Sequence, residues 1–120
     1  MEKKEKRIKN FDSARKRISV DFDNVIHRYS KGFRDGSIYD KPVKNAIEGI
    51  RRLQNAGFEV VVFTSKTPLG EKRNEEIRKW LKKYGLELEV TWIKKPSLAY
   101  IDDRGIRFEG NWKSIVSYFI

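Results

Sequence analysis

Apolar residues recur along this chain in two rhythms. The first is the short strand-length segment bounded by polar or turn-forming residues: 17–22, 58–63 and 98–102 read as strands, and 58–63, nearly all apolar, is expected to be buried on both faces. Residues 86–92 alternate and predict a strand, and Ile106 to Phe108 marks a short fifth. The second rhythm is helical. Val43, Ala46, Ile47, Ile50 and Leu53 share one face, with Pro42 suited to the first turn and Gly57 to the stop. Ile77, Trp80, Leu81 and Tyr84 do the same within a helix from Gly70 to Tyr84, ended by Gly85. Asn111 is placed to cap a last helix whose apolar face is Trp112, Ile115, Val116 and Phe119.

Strands that alternate with helices predict an α/β fold: a three-layer, Rossmann-like parallel sheet with helices on both faces. A chain of 120 residues is the size of one domain, assigned here to residues 17–120. Residues 1–16 form a charged, mostly basic extension with few apolar positions.

Composition narrows the chemistry. The chain has no cysteine, which excludes a disulfide framework, a thiolate zinc site and a thiol nucleophile. No apolar run approaches a membrane span and no signal-peptide core opens the chain, so a cytoplasmic location is expected, with no membrane partner. The net charge of +10 favours anionic partners, either phosphorylated small molecules or nucleic acid, although a solvated lysine-rich surface produces the same balance.

The strand ends carry the candidate chemistry. Residues 18–26 read Ile-Ser-Val-Asp-Phe-Asp-Asn-Val-Ile. Asp21 and Asp23 point the same way for as long as the strand persists, and their mutual repulsion calls for a hard cation such as Mg²⁺. A strand that ends in Asx turns would show the same residues. The strand at 98–102 again ends in carboxylates, Asp102 and Asp103, and the strand at 58–63 runs into Thr64 and Ser65. In open parallel sheets ligands bind beyond the carboxyl ends of the strands, where these side chains would converge.

The order Asp-x-Asp, Thr-Ser, Lys, Asp-Asp resembles the haloacid dehalogenase-like (HAD) phosphatases. Asp21-Phe-Asp23-Asn-Val25-Ile matches their first motif, hydrophobic-Asp-x-Asp-x-Thr/Val, with Asn24 where Gly is commonest. Asn tolerates a left-handed backbone nearly as well as Gly. More narrowly, Tyr29-Ser-Lys-Gly32, Asp35-Gly-Ser-Ile-Tyr-Asp40 and Tyr100-Ile-Asp-Asp-Arg-Gly-Ile-Arg-Phe108 look like small HAD hydrolases of bacteria and phages. The likeness runs from about residue 17 to residue 113.

The resemblance implies a Mg²⁺-dependent phosphomonoesterase acting through a phosphoaspartate. Asp21 would be the nucleophile and Asp23 the general acid and base. Thr64 would bind a phosphoryl oxygen. Lys94, with Lys95 second, would hold nucleophile and phosphate together. Asp102 would ligate the metal directly beside Asp21, Asp103 would orient a water or Lys94, and Asp23 would add its backbone carbonyl. Ser65, Lys66, Lys95 and Arg104 would contact substrate. The lone His27 is expected to be a polar loop residue in preference to a substrate contact.

Only residues 27–41 are available for a cap, so the site should be capless and open. Arg28, Lys31, Arg34 and Lys66 would surround its mouth. Tyr29, Phe33 and Tyr39 would either stack on a base or pack within the loop. An open site also suits a phosphorylated polynucleotide end. Two rivals remain: a basic nucleic-acid-binding module that keeps the fold without turnover, and a receiver-type domain. The receiver pattern puts its acidic pair on the first strand and its phosphorylated Asp on the third, which fits poorly here.

Overall fold

The computed structural model describes residues 16–32, 37–65, 70–102, 106–107 and 110–120. The basic extension before Lys16, and Phe33, Arg34, Lys66, Asp103 and Arg104, lie outside the described residues.

The architecture is α/β. Strands β1 (Arg17–Asp21), β2 (Glu59–Phe63), β3 (Glu89–Thr91), β4 (Ala99–Asp102) and β5 (Ile106–Arg107) form one sheet in the order β3-β2-β1-β4-β5. Every pairing is parallel. Helices α1 (Ala46–Asn55), α2 (Glu71–Lys83) and α3 (Trp112–Phe119) flank it in a Rossmann-like arrangement. The chain winds outward from β1 to β3, then returns to lay β4 on the other side of β1. That reversal puts the topological switch point at the carboxyl ends of β1 and β4.

Strand alternation sorts the sheet's two faces. Ile18, Val20, Val60, Val62, Val90 and Ile101 join the core with Ile50, Leu53, Ile77, Leu81, Trp112 and Val116 from the helices. Each fully buried aliphatic side chain contributes about 1.5–3 kcal/mol. The other face carries Ser19 beside Tyr100 in register, and the segment between β3 and β4 packs there. The Ser19 and Ser97 hydroxyls are 2.7 Å apart, and the Tyr100 hydroxyl donates to the Lys95 carbonyl.

Helix ends follow the glycines. Gly57 and Gly85 have φ of 97° and 82°, left-handed values that cost a residue with a Cβ. Phe58 N–H bonds Leu53 O while Gly57 N–H bonds Gln54 O, and Leu86 and Gly85 repeat the pattern on Leu81 and Lys82. These are Schellman closures, and Phe58 and Leu86 pack with the same apolar core as Leu53 and Leu81. Leu86 therefore belongs to the end of α2, and β3 begins later than the alternation suggested.

α1 likewise starts at Ala46, not at Pro42. Pro42 bridges His27, the Val43 N–H bonds Ile26 O at 2.8 Å, and Asn45 sits at φ 67°. The loop after β1 has claimed these residues before the helix begins.

Candidate functional site

Asp21 closes β1, and Asp102 closes β4. They stand one step beyond the Val20–Ile101 pair, on the face shared with Ser19 and Tyr100. Neighbouring strands lie about 4.8 Å apart, so the two carboxylates emerge side by side at the switch point. One Asp21 oxygen accepts the Phe22 N–H at 2.9 Å.

β1 stops at Asp21, one residue short of the expected Phe22. Strand alternation therefore no longer dictates where Asp23 points. A turn does so instead: the N–H groups of Val25, Ile26 and His27 all converge on Phe22 O, and Asn24 N–H bonds His27 O at 2.8 Å. Asn24 adopts φ 68°, the left-handed conformation its residue type tolerates.

Two buried side chains hold Asp23. Arg73 donates to its Oδ2 at 2.9 Å and His27 Nδ1 lies 3.0 Å from its Oδ1. Arg73 also donates to Thr64 Oγ1 at 3.0 Å, so one guanidinium ties the end of β1 to the end of β2. Arg73 is 5% exposed and Thr64 3%, and a charge so buried persists only when paired. A Thr hydroxyl that accepts here retains its own proton for donation. Thr64 is itself fixed by its N–H on Thr91 O.

Arg73 is the candidate site residue that sequence reasoning missed. A signal existed: it sits four residues before Ile77 on the helix face that the apolar spacing assigns to the core. His27 lies in the loop, as expected, and is fully buried there with both ring nitrogens hydrogen-bonded. Phe22 stacks on it with ring centroids 5.4 Å apart, and Tyr39 and Trp80 meet it edge-on at 5.3 and 5.8 Å.

The two lysines part company. Lys95 pairs with Glu89 at 2.7 Å at the sheet's edge. The Lys94 ammonium lies 4.5 Å from the Tyr100 ring centroid, on the face where Asp21 and Asp102 emerge. Ser65 is exposed just beyond Thr64. Tyr39 serves the loop's own packing, accepting the Lys31 N–H at 2.9 Å and donating to Gly32 O at 2.8 Å. Tyr29 keeps φ 53°, an unusual value for a bulky residue, and burial followed by the nearby Asp23 charge raises its phenol above the ordinary range.

Asp40 locks the loop. Its carboxylate accepts from the Ser30 hydroxyl, the Ser30 N–H at 3.1 Å and the Lys41 N–H at 2.8 Å. These bonds, that of the Ser30 hydroxyl foremost, hold its carboxyl well below the usual carboxylate range. A lowered folded-state value contributes stability above the unfolded value near pH ~4, which is lost as pH falls through the folded value. Asp40→Asn should therefore lower the urea midpoint at pH 7, with the gap to wild type closing towards about pH 2. A gap that stays constant with pH would remove the carboxylate's role.

The donors at the switch point are all oxygens, which suits a hard cation held by one or two carboxylates and several waters. Asp21 and Asp102 fit that set. The Asp23 carboxylate is taken by Arg73 and His27, so its fitting donor is the backbone carbonyl. Among the described residues no three His, Cys, Asp or Glu side chains gather as a metal cluster. Nor, among those residues, is any helix long and apolar enough to cross a membrane.

No family model matches the chain, and no curated protein matches it. The chain is similar in structure to a conserved protein from Bacteroides thetaiotaomicron, with a TM-score of 0.66 and 21% identity. The match covers 86% of this chain and 88% of that one, and at this identity it establishes the fold alone.

Proposed function

We propose that the protein is a Mg²⁺-dependent phosphomonoesterase of the HAD type, acting on a phosphorylated small molecule or nucleotide. The observation that carries this reading is the buried Arg73. It binds Asp23 and Thr64 together beside the strand end that presents Asp21. A solvated strand-end Asx turn has no need of such a partner.

Asp21 attacks the phosphorus, and the bond from phosphorus to the ester oxygen breaks. Asp23, which must enter this step as the carboxylic acid, gives that oxygen its proton and is left as the carboxylate that Arg73 and His27 hold. Asp23 then takes a proton from water, which attacks the aspartyl phosphate and releases inorganic phosphate. Thr64 donates to a phosphoryl oxygen, and Lys94 is better placed than Lys95 to balance the charge there. Asp21, Asp102 and the Asp23 carbonyl would hold Mg²⁺, which supplies charge shielding and polarises phosphoryl oxygens.

The direct test is a hydrolysis screen with Mg²⁺ over nucleotides, sugar phosphates and 3′- or 5′-phosphorylated oligonucleotides. Release of phosphate from none of them by the full chain would remove the reading. Activity should vanish with a chelator, and Mg²⁺ should raise the melting temperature through linkage. Asp102→Ala should abolish that rise while Lys95→Ala keeps it. Chelator-resistant hydrolysis would show that the carboxylates serve another purpose.

A further inference from the structure

His27 is the chain's single histidine and is wholly buried. Both ring nitrogens are engaged. Nε2 lies 3.0 Å from the backbone nitrogen of Asp40. An amide N–H only donates, so Nε2 is the acceptor and bears no proton. Nδ1, 3.0 Å from Asp23 Oδ1, therefore carries the proton and donates it to the carboxylate. A backbone group far along the loop thus selects the tautomer, independently of Asp23.

The ring cannot turn away. Phe22 lies against one face at an interplanar angle of 20°, and Tyr39 and Trp80 close on the edges. Asp40 is anchored in turn by its carboxylate clasp, and its carbonyl accepts the Trp80 indole N–H at 3.3 Å.

We propose that His27 is a positioning residue for Asp23: an imidazole fixed as an Nδ1–H donor that aims the carboxylate and carries no proton through the reaction. This rests on the reading of Asp23 as acid and base. A His–Asp pair invites comparison with a proton-relaying dyad, in which the second nitrogen faces the reacting group. Here that nitrogen faces a backbone N–H in a closed aromatic box, so it meets neither substrate nor water. The need for such a residue follows from β1, whose ladder stops before Asp23. Arg73 on one oxygen and His27 on the other replace the ladder.

The first test is ¹⁵N NMR of the imidazole in the full chain. The expected result is a proton on Nδ1 and none on Nε2, with an Nδ1–H resonance that shifts in Asp23→Asn and not in Lys95→Ala. An Nε2–H tautomer, or an Nδ1 proton indifferent to Asp23→Asn, overturns the proposal. This measurement needs no turnover, so it separates failure of the proposal from failure of the phosphatase reading.

The second test compares His27→Asn with His27→Gln. The Asn amide nitrogen falls near the place of Nδ1 and can donate to Asp23, whereas the Gln amide falls near Nε2 and serves only Asp40. Both lose the ring. His27→Asn should keep kcat within about tenfold of wild type and His27→Gln should lose about a hundredfold, with KM little changed in either. Equal losses in both would reduce His27 to packing and overturn the proposal. Should neither variant fold, the NMR result on the wild-type chain decides.

Discussion

Asp21→Asn is expected to lower turnover by about a thousandfold or more while the protein stays folded, because without the nucleophile no aspartyl phosphate forms. The exchange is nearly isosteric. It also relieves repulsion with Asp102 on the neighbouring strand, so the melting temperature should hold or rise slightly. Asp23→Asn should differ in kind. It removes the proton donor, so its effect should be large on alkyl phosphates and smaller on p-nitrophenyl phosphate, whose leaving group needs no proton. Steady-state rates on both substrates check this contrast. Asp21→Asn activity within tenfold of wild type would exclude a phosphoaspartate.

Arg73→Met is expected to be the most destabilising single change at the site. Arg73 is the buried partner of Asp23, at 2.9 Å, and of Thr64, at 3.0 Å. Removing one member of a buried ion pair costs about 3–5 kcal/mol, because the other charge is left unpaired. The Asp23 side chain keeps 26% exposure, and water there offsets part of the loss. A cost of about 2–4 kcal/mol follows, a fall of roughly 8–15 °C in melting temperature for a domain of this size. Adding Asp23→Asn to Arg73→Met should recover part of it, and a double-mutant cycle by urea unfolding measures the coupling. Additive losses would mean that the two side chains do not stabilise each other. Met keeps the apolar stem of the Arg, so the measured cost reports the charge more than the packing.

Much of this protein is legible along the chain. Burial acts residue by residue, so apolar spacing records which side of each element faces the core. The strands came out near their observed places for that reason, as did the glycine stops at Gly57 and Gly85. The candidate carboxylates were legible too. Asp21 and Asp102 directly end their apolar runs, and a parallel sheet carries strand ends to one edge whatever the connections between them.

Other features had no local trace. Pro42 and Val43 read as the start of a helix, yet the loop after β1 took them through His27 and Ile26. Lys94 and Lys95 are adjacent in sequence. Only the packing of their segment against β4 sent one over Tyr100 and the other to Glu89. Arg73 is fifty residues from Asp23 in sequence. A charged residue on a buried helix face shows that some partner exists, but not which one. The periodicity of a chain encodes what each residue avoids, namely water. Which distant group pairs with a buried charge is settled by topology, once the switch point has brought the ends of β1, β2 and β4 to the same place.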